Sequence, residues 1–301
     1  MTERKNWNKQ NIPDQTGKVI IITGATSGLG KEATKVLSQK GATIIMAVRN
    51  TEKAKAVREE IIKINPNAKI DIRSLDLGSL NSIRLFSDEI SKSYNQLDTL
   101  INNAGIMFCP YSKTQDGFEI QIGTNHLGPF ALTVQLMPLL IQTKNSRIVN
   151  TSSMAHKNGN INFEDFNWTD RKYKTMQAYS DSKLANLYFT YQLVNKLNGL
   201  TNAPLVTCAH PGWTKTDLDR HSSMATFFGN TVAQKVEMGT LPTLRAATDL
   251  DAKSGDYFGP SGFLEIRGYP IKVPSNAKSH DETIAKKLWD LSEELTGIKF
   301  K

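Results

Sequence analysis

The chain has 301 residues, of which 39% are hydrophobic and 22% are charged, so its composition is that of a folded globular protein rather than a disordered one. The formal net charge is +8, but the 37 basic residues are scattered among 29 acidic ones without a recognition-helix or zinc-finger pattern, which argues against nucleic acid as a partner. With two cysteines, Cys109 and Cys208, and five widely spaced histidines, a disulfide framework is excluded and no catalytic metal is expected.

The first 16 residues are polar and charged, and we interpret them as an extension ahead of one domain that spans residues 17–301. The extension has the pattern of neither a signal peptide nor a transmembrane segment. A cytoplasmic protein is the simplest expectation.

A β-branched run from Lys18 to Ile22 leads directly into a glycine-rich turn, and a helical pattern follows at once. In a strand–turn–helix unit of this kind, the unpaired N–H groups of the helix face whatever binds in the turn. Glycine is needed where a Cβ would collide with a pyrophosphate lying on the backbone. The turn, with GxxxGxG spacing, therefore predicts a nucleotide site, with a ligand-free turn as the alternative; its residues are Thr23, Gly24, Ser27, Gly28, Leu29 and Gly30.

Short β-branched runs alternate with helical patterns along the rest of the chain. Helices are predicted over residues 51–64, with Ala54, Val57, Ile61 and Ile64 on one face, and over residues 80–90. The alternation indicates right-handed crossovers and an α/β fold, a Rossmann-like doubly wound parallel sheet with helices on both faces. The further strands are predicted at residues 42–48, 69–73, 97–101, 147–150 and 205–208.

The C-terminal part has a different pattern. Glycine and proline are frequent between residues 254 and 274, around a strand predicted at Phe263 to Ile266. An amphipathic helix is predicted over about residues 281–296, and Gly297 ends it.

The residues after the second strand bear on the choice of nucleotide. NAD-binding folds place an acidic residue there to hold the ribose 2′-hydroxyl, whereas this chain has Arg49. A guanidinium can hold a 2′-phosphate instead, and Lys31 could add charge, so NADP(H) is predicted over NAD(H). A solvated arginine at a strand end is the alternative. Asp76, beside Leu77, is placed either to reach an adenine or to cap a helix.

Tyr179 and Lys183 stand four residues apart in a helical segment, so they share one face. A neighbouring ammonium stabilises a phenolate, which would make the tyrosine a usable proton donor and acceptor. A Tyr–Lys pair of this spacing is common by chance, but two further motifs follow predicted strands. These are Asn102 to Gly105 and the hydroxyl-rich run from Thr151 to Ser153.

Taken together, the motifs resemble those of the short-chain dehydrogenase/reductase family from about residue 17 to residue 250, in its branch similar to retinol dehydrogenases, WW-domain oxidoreductase and protochlorophyllide reductase. The segment between Ser153 and Tyr179 is longer than the usual family spacing and includes residues 161–168, which supports that branch. The resemblance implies four catalytic residues: Asn125, Ser153, Tyr179 and Lys183. It also implies cofactor contacts from the glycine turn, Arg49, Lys31, Asp76, Leu77, Asn103, Ala104, Gly105, Tyr179, Lys183, Pro211, Gly212 and Thr216.

The implied reaction is hydride transfer between the nicotinamide and a carbonyl or alcohol carbon of a small molecule, with Ser153 and Tyr179 bonded to the reacting oxygen. A substrate wall is expected within residues 211–240, with Ser153 and Trp213 as substrate contacts beside the aromatic residues of that loop, or else these aromatic residues pack in the core. Reduction of a conjugated C=C bond and a non-catalytic NADP(H)-binding role are the alternatives. Family members often pair through two long helices, here about residues 118–140 and 176–197, so a homodimer is one expectation and a monomer the other.

Overall fold

The β-branched runs of the sequence form the centre of a parallel sheet in the computed structural model, which describes residues 6–214 and 233–300. Neighbouring residues of each central strand point to opposite faces, and both faces are covered, which is why these runs are apolar without alternation. The strands are β1 Val19–Thr23, β2 Thr43–Val48, β3 Lys69–Ser74, β4 Thr99–Asn102, β5 Arg147–Thr151, β6 Leu205–Ala209, β7 Tyr257–Pro260 and β8 Pro270–Lys272.

The strand order across the sheet is β3-β2-β1-β4-β5-β6-β7-β8, and every pair is parallel except β7 with β8. The chain winds outward from β1 in one direction and then crosses back to add β4 on its other side. The predicted doubly wound fold is confirmed. Because β1 and β4 are neighbours, the turns that follow them open onto the same crevice at the carboxyl edge, where such folds bind ligands.

Helices cover both faces of the sheet. They are α1 Gly28–Gln39, α2 Thr51–Ile64, α3 Leu80–Ser93, α4 Ile120–Ile122, α5 Gly128–Gln142, α6 Thr175–Leu197, α7 Val236–Gly239, α8 Leu241–Thr248 and α9 Glu282–Thr296. One layer holds α1, α2 and α8 against Ile20 and Ile22, and Trp7 and Ile12 from the N-terminal segment are buried in it. The other layer holds α3, α5, α6 and α9 against Ile21.

Helix α9 forms the outer cover of α5 and α6. Its Trp289 is 2% exposed and lies among Phe130, Phe189 and Phe300, with ring centroids 5.1, 5.9 and 5.8 Å away. The helix ends at Gly297 in the left-handed conformation (φ 68°), as the sequence predicted. The two long helices that could have joined two copies are therefore packed against a third helix of the same chain.

Two local predictions are wrong. The strand expected at Phe263 to Ile266 is a 3-10 turn, Phe263–Glu265, because the ladder partners are the residues on either side, in β7 and β8. Ile64, expected on the buried face of α2, is 59% exposed, since it lies in the last turn of the helix, beyond the edge of the sheet layer.

Candidate active site

The glycine turn joins β1 to α1. Gly24 and Gly28 have positive φ values of +68° and +50°, which residues with a Cβ adopt only at a cost. The N-cap of α1, Ser27, makes no capping bond through its side chain within the described chain, so the first amides of the helix stay available to a ligand. The positive end of a helix with uncapped amides favours an anion such as a phosphate.

Gly30 is needed for a reason that the sequence did not show. A Cβ on Gly30 would overlap the carbonyl oxygen of Gly24 and lie 2.6 Å from Nδ2 of Asn103. That Asn103 amide donates to the carbonyl of Thr23 at 2.8 Å, and the Thr23 hydroxyl accepts the backbone N–H of Ala104 at 2.9 Å. The turn after β4 thus holds the shape of the glycine turn, and Gly30 makes room for that contact.

The two cations proposed near the nucleotide differ in their surroundings. Arg49 is exposed at the end of β2. Lys31 is paired with Glu60, with 2.6 Å between Nζ and Oε2, although the side chains are 33% and 58% exposed and the pair is therefore weak. Of the two, Arg49 is the better placed to meet a ligand.

Asp76 and Leu77 lie after β3. The N-cap of α3 is Ser79, so Asp76 is not the helix cap that the sequence offered as an alternative. Its Oδ1 instead accepts the Gly78 N–H at 2.9 Å, which fixes the carboxylate in a tight turn. Leu77 is 7% exposed and belongs to the core, so its side chain is not available to a ligand.

The Asn102 to Gly105 segment contacts both the sheet and the motifs that contain Asn125 and Lys183. Asn102 is 4% exposed, and its Nδ2 donates to Thr133 Oγ1 at 3.0 Å and to Asn150 Oδ1 at 2.9 Å. A Cβ on Gly105 would lie 3.1 Å from Asn125 Oδ1 and 3.4 Å from Lys183 Nζ. The segment therefore brings two of the four predicted catalytic residues beside the glycine turn.

Asn125 lies in a π-helical turn, Gly123–Leu127, inserted between α4 and α5. Both polar atoms of its side chain are engaged in hydrogen bonds within the protein. Oδ1 accepts the Ile106 N–H at 2.8 Å, and Nδ2 donates to the Ile106 carbonyl and to Ser182 Oγ. A π turn widens the helix and is frequent at functional sites. Any direct part that Asn125 plays in proton transfer must therefore come from its backbone.

Tyr179 and Lys183 share one face of α6, with Lys183 Nζ 5.6 Å from the centroid of the Tyr179 ring. Lys183 is 4% exposed, and its ammonium donates to the carbonyl of Thr151 at 3.3 Å. Burial lowers the pKa of Lys183 to about 8. The Tyr179 ring is 7% exposed and meets the edge of Phe108 at 5.3 Å between centroids.

The two serines after β5 point to different environments. Ser152 is 1% exposed and donates to the carbonyl of Lys183 at 2.8 Å, so it is a packing residue that fixes α6 against the sheet. Ser153 is half-buried and precedes the 3-10 turn Met154–Asn158, where its Oγ accepts the Ala155 N–H at 3.2 Å. The Ser153 hydroxyl can still donate its proton, so of the pair it is the one able to bond a reacting oxygen.

The turn after β6 contains Pro211 and Gly212, the latter with φ +64°. The half-buried Trp213 donates its backbone N–H to the carbonyl of Ile266 at 2.8 Å. Thr216 and the aromatic residues Phe227 and Phe228 lie outside the described residues, as does most of the predicted substrate loop.

The structure adds residues that the motifs did not reveal. Phe108 has a positive φ of 55°, and its N–H donates to Gln121 Oε1 at 2.9 Å. The Gln121 amide in turn donates to the hydroxyl of Tyr173 at 2.8 Å, and that hydroxyl donates to Glu119, which is completely buried. Tyr173 belongs to the segment between Ser153 and Tyr179, which is longer than the usual family spacing. That extra length was the only sequence signal for this hydrogen-bond network.

In residues 6–214 and 233–300, no group of three His, Cys, Asp or Glu side chains is arranged to hold a metal ion. Among the helices of those same ranges, none has the length and apolar character needed to cross a bilayer.

Comparison with known proteins places these features in a family. The profile of the family described as short chain dehydrogenase matches residues 18–225. Human retinol dehydrogenase 13 is 40% identical over 97% of this chain and 87% of its own length, and human retinol dehydrogenase 11 is 40% identical over 94% and 86%. Among solved structures, an uncharacterized protein from Mycobacterium paratuberculosis is 40% identical, with a TM-score of 0.84 over 99% of this chain and 100% of that chain.

Proposed function

The chain belongs to the short-chain dehydrogenase family, and on that premise we propose that it is an oxidoreductase that interconverts a carbonyl and an alcohol on an apolar small molecule, with NADP(H) supplying or accepting the hydride at the nicotinamide. One observation carries the proposal. Tyr179 and the buried ammonium of Lys183 lie on one face of α6, next to Gly105 and Asn125 at the carboxyl edge of the sheet.

The residues have distinct parts in the reductive direction. The Tyr179 hydroxyl gives its proton to the carbonyl oxygen of the substrate, and the Ser153 hydroxyl donates a hydrogen bond to the same oxygen. Lys183 keeps a cation beside the phenol, so the phenolate left after proton transfer is stabilised where the surroundings exclude water. The π turn at Asn125 holds the segment after β4 in place for both groups.

The proposed cofactor rests on the glycine turn and on Arg49. The uncapped amides of α1 fit a pyrophosphate, and the exposed guanidinium of Arg49 fits a 2′-phosphate by a bidentate, charge-assisted contact. Arg49→Ala should raise the KM for NADPH by at least about tenfold and leave that for NADH nearly unchanged, since a close charge-assisted contact is worth about 1.5–3 kcal/mol. Lys31→Ala is the comparison variant and should raise the KM for NADPH less than Arg49→Ala does, because the Lys31 ammonium lies 2.6 Å from Glu60 Oε2. An equal effect of both variants on NADPH and NADH would contradict the choice of cofactor.

The proposed substrate class follows from the lining of the site and from the relatives. The rings of Phe108 and Tyr179 meet edge to face beside the proposed point of reaction, which favours an apolar substrate. The names of the two human relatives point the same way, since both are retinol dehydrogenases. We therefore expect apolar aldehydes or ketones, retinaldehyde among them, to be better substrates than hydrophilic ones.

The deciding experiment is a screen of NADPH oxidation over apolar aldehydes, ketones and retinaldehyde. Tyr179→Phe should lower kcat by about 10²–10⁴-fold, the range that general acid catalysis contributes, while NADPH still binds. Tyr188→Phe is the matched control, because Tyr188 is a buried tyrosine of the same helix, 2% exposed, on the side of α9. Equal turnover by wild type and Tyr179→Phe would refute the proposed role, and a product with a saturated C=C bond would assign the alternative reaction.

A further inference from the structure

Residues 262–268, here called the clasp, lie against the turn that contains Pro211 and Gly212. The backbone N–H of Trp213 donates to the carbonyl of Ile266 in the clasp at 2.8 Å. A Cβ on Gly212 would overlap that same carbonyl and would come within 2.9 Å of the carbonyl of Glu265. The backbone of the clasp is therefore in direct contact with the turn, and only glycine fits at position 212.

The clasp contains two consecutive residues with left-handed backbone. Leu264 has φ 52° and Glu265 has φ 57°, a conformation that is unfavourable for residues with a Cβ. Burial of apolar side chains does not explain it, because Phe263 is 84% exposed and Leu264 is 64% exposed. The side chain that contacts the protein body is that of Glu265, which is 20% exposed.

The carboxylate of Glu265 meets a buried histidine. Its Oε2 lies 2.9 Å from Nε2 of His210, a residue with no exposed surface. The two atoms do not form a hydrogen bond of regular geometry, and within the described residues neither has another hydrogen-bond partner. The ring is so tightly enclosed that a Cβ on Gly259 would overlap its Nε2.

The other ring nitrogen of His210 faces the turn. His210 Nδ1 accepts the backbone N–H of Gly212 at 3.3 Å, which requires the tautomer with its hydrogen on Nε2, towards Glu265. Burial lowers the pKa of His210, so the ring is neutral near pH 7 and keeps Nδ1 free to accept. The contacts to His210 and to Lys157 lower the pKa of Glu265 to about 2, so the carboxylate is charged.

We propose that Glu265 is a positioning residue: by fixing the ring and tautomer of His210, it sets the Gly212 turn at the nicotinamide end of the cofactor site. The inference depends on the proposed function, which puts hydride transfer beside Ser153 and the adenine ribose at Arg49. The Gly212 turn follows β6, which neighbours β5 and Ser153 and lies across β1 from Arg49, so the turn falls at the nicotinamide end. A second contact of Glu265, from Lys157 Nζ at 3.1 Å, involves a side chain that is 46% exposed and contributes little.

The test compares two ligands by calorimetry, NADPH and adenosine 2′,5′-bisphosphate, which has only the adenine half of the cofactor. Glu265→Gln should weaken NADPH binding by about tenfold, as expected for the loss of one charged contact, and leave the half-ligand unchanged. It should also lower kcat with apolar aldehydes more than it raises their KM. Glu265→Gly, which removes the left-handed strain together with the carboxylate, should show the same loss. Lys157→Met is the matched control and should bind both ligands as wild type does.

Each outcome decides between defined alternatives. Equal affinity of wild type and Glu265→Gln for NADPH, with a fall in melting temperature only, overturns the positioning role and leaves the proposed function intact. An equal loss for both ligands shows a general structural effect and also overturns it. If the wild type binds neither ligand, the proposed cofactor is wrong and the inference falls with it.

Discussion

The buried ammonium of Lys183 makes the stability of the protein depend on pH in a way that can be calculated. Lys183 is 4% exposed, and burial lowers its pKa from 10.5 to about 8. Below pH 8 the side chain is charged in both the folded and the unfolded protein, so the folded state bears the full desolvation cost. Above pH 10.5 it is neutral in both states and the cost is gone. Between these values the unfolded state binds more protons, so the contribution of Lys183 to the free energy of unfolding rises with pH.

The size of this effect is about 3 kcal/mol, because one pKa unit corresponds to about 1.4 kcal/mol. Other groups titrate in the same range, including Tyr94, whose pKa burial raises to about 12. The comparison must therefore be between the wild type and Lys183→Met, in which these other groups are shared.

The assay is urea unfolding of both proteins, without cofactor, at intervals from pH 7 to pH 10.5. The difference between their free energies of unfolding should shift in favour of the wild type by about 3 kcal/mol across this range. Parallel pH curves would refute the reasoning, since they would mean that Lys183 has the same pKa in both states.

Three further perturbations test other parts of the structure. Gly30→Ala should lower NADPH affinity by more than tenfold (about 1.4 kcal/mol) in calorimetry, because the new Cβ would displace the Gly24 carbonyl; unchanged affinity would contradict the packing described for the turn. Arg245→Met should lower the free energy of unfolding in urea by about 3–5 kcal/mol, because the partner carboxylate of Asp249, 2.8 Å away and 2% exposed, would be left buried without its ion pair; a loss below about 1 kcal/mol would mean that water reaches the carboxylate. Light scattering should find a monomer, since α9 covers the faces of α5 and α6 that could join two copies, and a wild-type dimer would contradict this expectation and would have to use another surface.

The fold was predictable because its signals are local. Strands with both faces buried are continuous apolar runs, and the helices between them show one apolar face, so the sheet and its helices could be placed by periodicity alone. Prediction failed where structure depends on partners distant in the chain. Nothing within Phe263 to Ile266 distinguishes a strand from the clasp, since the difference lies in contacts to His210 and Gly212.

The candidate site likewise contains residues that a local motif predicts and residues that only the fold brings together. Tyr179 and Lys183 are recognisable because their spacing is that of one helix turn, and the structure brings Lys183 to Asn125 and Gly105. Their roles remain proposals. His210 and Glu265 are separated by more than fifty positions and form no motif, so only the folded chain reveals that they meet.

The position of α9 has a consequence for synthesis of the protein. The face formed by Phe130 and Phe189 is completed by Trp289, which the ribosome adds only after the eight strands of the sheet. During translation the sheet and the helices made before α9 would therefore present an aromatic surface to solvent or to a neighbouring nascent chain. Such exposed surfaces promote aggregation and attract chaperones. The packing of α9 buries this surface, so the risk of aggregation falls once that helix has been made.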